Sequence, residues 1–270
     1  MLYNQNQGLK VSILASGSSG NVTYIESEKK KILVDSGLSG KKIIEMLKKI
    51  NRDAADLDAI LVTHEHRDHI HGVGVLARKY HLDVYANEKT WQAMSPIIGD
   101  IKNEQKFIFE MGKVLTIGDI DIESFGVSHD AIAPQFYSFH KNDKRFVMLT
   151  DTGYVSDRMR GILSDADAYL FESNHDLQML RMGPYPWHLK QRILGDKGHL
   201  SNEDGALALA EMVGNKTKRI YLGHLSKDNN MKELAHMTAE NILKEKELDV
   251  GRAFFVYDTD PSEPTSLFVV

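Results

Sequence analysis

Thr63-His64-Glu65-His66-Arg67-Asp68-His69 sets three imidazoles and a carboxylate in one short stretch, directly after the apolar run Asp-Ala-Ile-Leu-Val-Thr at 58–63. That run reads as a buried strand, and histidines two apart at the exit of a strand project to the same side. The turn that follows swings Asp68 and His69 back toward the same point, so a single loop offers ligands to two divalent cations. A polar surface loop with accidental histidines is the competing reading. The buried strand before it disfavours that reading, because binding residues concentrate on loops carried by a rigid scaffold.

So short a segment cannot fill two coordination shells, and further ligands are expected at strand ends far along the chain. His129 follows the apolar stretch 120–127, Asp151 follows 145–150, and His224 follows 220–223. Each alone reads as a strand-terminal polar residue; beside the histidine loop, all three read as ligands. The chain has no cysteine, so thiolates and disulfides are excluded and any metal is held by imidazoles and carboxylates.

With 270 residues and 42% hydrophobic content, the chain suits a single domain over 1–270 with a substantial core. Its net charge of -5 repels a phosphate polymer at long range, so contact with nucleic acid requires a local basic patch. No run approaches the length of a membrane span, and the opening Met-Leu-Tyr-Asn-Gln-Asn-Gln lacks a signal-peptide pattern. A cytoplasmic protein without a membrane partner is expected; the sequence sets no oligomeric state.

Valine- and isoleucine-rich runs at 10–15, 21–26 and 31–34 predict a strand meander, followed by a helix over 40–50 from Ile43, Ile44, Leu47 and Ile50. After the strand at 58–63 a helix leaves the histidine loop. Strands follow at 83–86, 106–109, 113–117, 120–127, 135–140 and 145–150, with a short helix near 88–94. The last third predicts strands at 167–172, 218–223, 252–257 and 266–270. Its helices fall near 155–163, 175–181, 186–194, 201–213 and 231–247. Two strand sets with helices outside imply an α/β fold, a four-layer αββα sandwich.

The series His64-x-His66-x-Asp68-His69, His129, Asp151 and His224 resembles the motif series of the metallo-β-lactamase superfamily across almost the whole chain. The resemblance implies His64, His66 and His129 on one metal, Asp68, His69 and His224 on the other, and Asp151 bridging them. Asp35, in Ile-Leu-Val-Asp-Ser-Gly, matches the superfamily's early strand-end Asp, implying that it orients the histidine loop; an Asp opening a Ser-Gly turn explains it nearly as well.

Phe171-Glu172-Ser173-Asn174 and Gly198-His199-Leu200-Ser201 resemble the Glu and His-Ser motifs of tRNase Z and related nucleases, in which the His pairs with the Glu. An exposed residue before a helix cap at Ser201 is the alternative for His199. Between them lie Arg181, Tyr185, Trp187, His188, Lys190, Arg192 and Lys197, a composition suited to phosphate contact and base stacking but also to a solvated helix with Trp187 packed inward. The loop Ser16-Gly17-Ser18-Ser19-Gly20-Asn21 offers amides and hydroxyls to a phosphate, or is a plain glycine-rich hairpin. Arg181, Lys190, Lys197, Ser18, Ser19 and Asn21 are therefore the expected substrate contacts. His71, His81, His140, His175, His188 and His236 are expected to be structural or surface residues.

Within the superfamily these motifs look most like a bacterial DNA exonuclease branch. No room exists between Asp151 and His224 for a β-CASP insertion, and no long arm for a tRNA elbow. The resemblance implies phosphodiester hydrolysis with two zinc or manganese ions, a bridging hydroxide, Asp68 orienting it, and His199 held by Glu172 protonating the leaving oxygen. A small-molecule cyclic phosphodiesterase, esterase or thioesterase on the same scaffold is the alternative among hydrolases. A non-catalytic metal-binding regulator is the alternative of another class.

Overall fold

The computed structural model describes residues 8–270. They form two compact units interleaved along the chain: residues up to Gly126 with Ala131–Arg145 and Asp260–Val270, and Val127–Asp130 with Phe146–Thr259.

The first unit is built on strands β1 (Lys10–Ala15), β2 (Val22–Glu26), β3 (Lys31–Val34), β4 (Ala59–Leu61), β5 (Asp83–Ala86) and β6 (Lys106–Ile108). They lie side by side in chain order, and the C-terminal strand Phe268–Val269 adds to β1 to complete a seven-stranded sheet. Pairing is antiparallel from β1 to β3 and parallel from β3 to β6. Strand β4, Ala-Ile-Leu between parallel neighbours, is buried throughout, which is why it reads as an apolar run rather than an alternation.

Helices α1 (Gly40–Lys49), α2 (Arg67–Ile70), α3 (Val73–Tyr80) and α4 (Glu88–Ile98) connect these strands. Ser39 caps α1, its hydroxyl accepting from the Lys42 amide, and Ile43, Met46 and Leu47 turn its apolar face into a core shared with Tyr24, Leu33, Ile60 and Val84. The helix expected to leave the histidine loop is two pieces. Gly72 interrupts it because its amide donates to Ser36 O (2.6 Å) and a Cβ there would meet Leu38 O at 2.5 Å. Helix α4 outruns its expected end: Pro96 lies in its last turn, and burial of Met94 and Ile98 outweighs the amide bond that proline removes.

Strands β7 (Val114–Ile117), β8 (Ile120–Gly126) and β9 (Gln135–Lys141) form an antiparallel meander, also in the first unit. Strand β9 clamps the entry to the histidine loop. The Gln135 amide donates to Thr63 O (3.1 Å), and the fully buried Tyr137 hydroxyl donates to Val62 O (2.7 Å) while accepting from Gln135 Nε2 (3.0 Å).

In the second unit β10 (Lys144–Leu149, of which Phe146 onward belongs here), β11 (Ala168–Glu172), β12 (Arg219–Gly223) and β13 (Phe255–Asp258) pair in parallel. Parallel neighbours require crossovers, supplied by α5 (Asp157–Leu163), α6 (Leu177–Met182), α7 (Trp187–Leu194), α8 (Asn202–Met212) and α9 (Lys232–Glu245). Helix α9 buries Ala235, Ala239 and Leu243 at four-residue spacing, and α8 buries Ala206, Leu209 and Met212. Strand β13 begins later than expected because the tight turn at Gly251, whose φ is 84°, occupies the residues before it.

Tyr137→Phe leaves the buried Val62 carbonyl without its donor, so it lowers unfolding free energy by about 1–3 kcal/mol. Urea denaturation of the variant beside the parent checks this.

Candidate metal centre

The chain reaches its polar site residues at the C-terminal ends of strands, where the backbone turns sharply. Asp35 follows β3, Asp151 lies just past β10 and His224 follows β12, and all three adopt left-handed φ values of 59°, 52° and 57°. Such a conformation costs a non-glycine residue roughly 1–3 kcal/mol and persists only where surrounding contacts over-determine it. At Asp35 and His224 those contacts include hydrogen bonds between a buried carboxylate and an imidazole.

In the first unit Asp35 is the anchor. Its Oδ1 accepts from the Thr63 amide (2.8 Å), and its Oδ2 accepts from the Thr63 hydroxyl (2.8 Å) and from His69 Nδ1 (2.8 Å). Thr63 Oγ1 in turn lies 3.0 Å from His64 Nδ1. Assigned from this network, both imidazoles carry their proton on Nδ1 and present the Nε2 lone pair on the opposite side, as metal-binding histidines do. His64 Nε2 lies 3.2 Å from His66 Nδ1, and His69 Nε2 lies 3.7 Å from Asp68 Oδ2. The His64 and His69 rings are 4.0 Å apart.

Backbone contacts fix this loop against the chain near Asp35. Asp68 O accepts from the Asn21 amide (2.8 Å), Asn21 O from Gly37 (3.0 Å) and His69 O from Ser36 (2.7 Å). A Cβ on Gly37 would stand 1.6 Å from Asp68 O, so only glycine allows the approach. Glu65, between the first two histidines, accepts from the Ile132 amide (2.8 Å).

In the second unit Glu172 is the anchor. Residues Glu172 and Gly223 are register partners at the ends of β11 and β12, which sets Glu172 beside His224; carboxyl ends of parallel strands are where such folds carry their sites. Glu172 Oε1 accepts from His199 Nδ1 (2.8 Å) and His224 Nδ1 (2.9 Å), while Oε2 accepts from the amides of Thr152 (2.9 Å) and Leu200 (3.2 Å). Burial pushes Glu172 up, but the two imidazoles outweigh it and hold its carboxyl well below the usual carboxylate range. Burial also pushes Asp35 up, and there a single imidazole with Thr63 does not overcome it.

His224 Nε2 is 3.3 Å from Asp151 Oδ1, and His129 Nε2 is 3.9 Å from the same oxygen. His129 Nδ1 faces Gly198 O (3.3 Å), so its Nε2 lone pair also turns toward Asp151. Ligand atoms sharing a tetrahedral ion at bonds of 2.0–2.1 Å stand about 3.3 Å apart. The 3.2 Å and 3.3 Å separations in the two units match that spacing. Atoms of Asp151, Glu172, His199 and His224 lie within 4.8 Å of one another. Within that group Glu172 is committed to the Nδ1–H groups of His199 and His224, while the Nε2 of His224 and the Asp151 carboxylate offer lone pairs of the kind that hold a divalent cation.

The expected ligands thus gather as His64, His66, Asp68 and His69 in the first unit and as His129, Asp151 and His224 in the second, with Glu172 paired to His199 as expected. Ser18, Ser19, Arg181 and Lys197 are exposed. Two other expected substrate contacts are committed elsewhere. Asn21 is buried, its side chain bonding both backbone groups of Gly17 and reaching His69 Nε2 (3.1 Å), so it steadies the ligand loop. Lys190 is buried and donates to Arg181 O and Gly183 O.

Sequence reading missed Asn174, whose side chain donates to His224 O (2.8 Å) and whose backbone bonds Leu200 and Ser226; its only signal was its place beside Glu172. No helix among the described residues is long and apolar enough to cross a membrane.

A profile of the beta-lactamase superfamily domain matches residues 30–225, and the chain belongs to this metallo-β-lactamase superfamily. Its sequence is 68% identical over 262 residues to the exodeoxyribonuclease WalJ of Streptococcus pneumoniae, covering 96% of this chain and 97% of that protein. It is 58% identical over 260 residues to the exodeoxyribonuclease YycJ of Bacillus anthracis, covering 96% and 98%. Among solved structures, the metallo-β-lactamase fold protein YhfI of Bacillus subtilis superposes with a TM-score of 0.72 at 16% identity, over 96% of this chain and 99% of that one. The fold is therefore the expected α/β sandwich, two mixed sheets flanked by helices.

His175 is buried beside this network, and burial pushes its imidazole down to about 4. The unfolded chain protonates it near 6.5, so between about 4 and 6.5 the unfolded state binds more protons and stability rises with pH, by roughly 3 kcal/mol in full. Urea midpoints at pH 5 and pH 7 will differ more for the parent than for His175→Gln, which cannot titrate.

Proposed function

We propose that the protein is a metal-dependent exodeoxyribonuclease whose two compact units work as one domain. Two zinc or manganese ions are held by His64, His66, Asp68, His69, His129, Asp151 and His224. The carrying observation is the Glu172 carboxylate shared between His199 and His224, which ties a proton-donating imidazole to a ligating one. The names of the relatives at 68% and 58% identity support DNA as substrate and removal of nucleotides from an end. A DNA substrate sets the site of action in the cytoplasm.

When bound, the ions supply an activated water at neutral pH and neutralise charge on the phosphate. Asp68, with 27% of its side chain exposed, orients the attacking water. His199 is 20% exposed while Glu172 is fully buried, so solvent and substrate reach the imidazole and not the carboxylate. The carboxylate stabilises the imidazolium and aims it; Nε2 gives its proton to the oxygen leaving phosphorus as the P–O bond breaks, then takes a proton from water. Exposed Ser18, Ser19, Arg181 and Lys197 contact the phosphates of the strand; Asn21 and Lys190 act by holding the loops that carry them.

Purified protein incubated with end-labelled single- and double-stranded DNA, RNA and bis-p-nitrophenyl phosphate, with zinc or manganese, yields a nucleotide ladder from one end of DNA. Hydrolysis of the small diester alone contradicts the proposal. Asp68→Ala loses nearly all turnover. His199→Ala slows initial rates by about a hundredfold or more with its metal content preserved; loss of metal and stability together would remove His199 from its role.

A further inference from the structure

The segment carrying α6 and α7 presents two large apolar side chains to water: Trp187 is 64% exposed and Met182 is 86% exposed. The backbone beneath them is nevertheless fixed. Lys190, 8% exposed, donates from Nζ to Arg181 O (2.7 Å) and Gly183 O (2.8 Å). The Tyr185 hydroxyl donates to Asp228 (2.8 Å), and prolines at 184 and 186 restrict φ on either side of it. Burying a lysine to rigidify a loop whose indole points to solvent makes no contribution to a core. A pre-organised aromatic surface instead binds with little further loss of conformational freedom.

Charge selects the occupant. Between Leu177 and Lys197 four basic residues, Arg181, Lys190, Arg192 and Lys197, face one acidic residue, Asp196, in a chain whose net charge is -5. Position does so as well. The far end of α7 adjoins the catalytic imidazole: the His199 amide donates to Ile193 O (3.0 Å), and Arg192 pairs with Asp130, next to His129. Seven helical steps of 1.5 Å set Trp187 about 10 Å along the axis from that end, a distance of about three nucleotides at 3.4 Å each.

We propose that Trp187 is a stacking platform for an unpaired base about three nucleotides from the reacting phosphate, with Arg181 and Lys197 on the flanking phosphates. The strand therefore enters this segment single-stranded, since a base pair inside a duplex offers no free face to an indole. The inference rests on the nuclease reading above.

The chain has two tryptophans, and Trp91 is 6% exposed with its indole N–H on Phe107 O, so a fluorescence change on ligand binding reports Trp187. In EDTA, where nothing is cleaved, an oligothymidine quenches the emission. Read by the anisotropy of a dye-labelled oligomer, the Trp187→Leu protein binds it about tenfold more weakly than the parent, and an abasic oligomer of equal length binds the parent about as weakly as that. Emission unchanged at saturating oligothymidine, or equal affinity for the abasic oligomer, overturns the platform. A change on diluting the protein alone, with none on adding oligomer, assigns the face to a second copy of the chain and also overturns it. Cleavage of labelled DNA by the same preparation separates the two readings. Cleavage with silent fluorescence removes the platform and leaves the nuclease; neither binding nor cleavage removes both.

Discussion

A carboxylate buried at the end of a strand is stable only when hydrogen-bond donors surround it, and in each unit of this protein those donors include imidazoles of the site. Glu172 receives two imidazole N–H groups and two amides; Asp35 receives one imidazole N–H, a hydroxyl and an amide. An imidazole that donates through Nδ1 must present a lone pair at Nε2. The buried acids therefore decide which face of His69 and of His224 is open to a cation, and the geometry of those two rings follows from the demand that a buried charge be satisfied.

The same demand explains the strained backbone. Left-handed φ values at Asp35, Asp151 and His224 turn each side chain back over the strand end, and Gly37 admits a contact with Asp68 that no side chain would allow. Function and stability are joined here: loosening one of these turns exposes a carboxylate and misdirects a ring together. The polar cluster of Ser173, Asn174, Asn202 and Asn230 extends the network away from the site, with Asn202 and Asn230 bonded to each other and to Ser173.

Much of this was legible in the sequence because strands buried on both faces leave long apolar runs, and the polar residue ending such a run stands out. That signal marks His129, Asp151 and His224, while the spacing of the loop itself marks His64, His66, Asp68 and His69 as candidates, and the strand at 83–86 was bounded as it is observed. What escaped notice depends on contacts across the chain. Asn21 looked like a phosphate contact because it closes a glycine-serine loop, yet its amide serves Gly17 and His69. Lys190 looked like a surface cation because basic residues surround it, yet its ammonium joins two carbonyls. Trp187 was equally compatible with inward packing, and only the structure shows it turned to solvent.

The dependence of metal binding on a buried acid is most directly tested by calorimetric titration of zinc or manganese into chelator-stripped parent protein and Glu172→Gln. The amide keeps the shape of the side chain but cannot accept all four donors. The account predicts metal affinity weakened by about tenfold to a hundredfold in a folded variant. Equal affinity in the two proteins would contradict it.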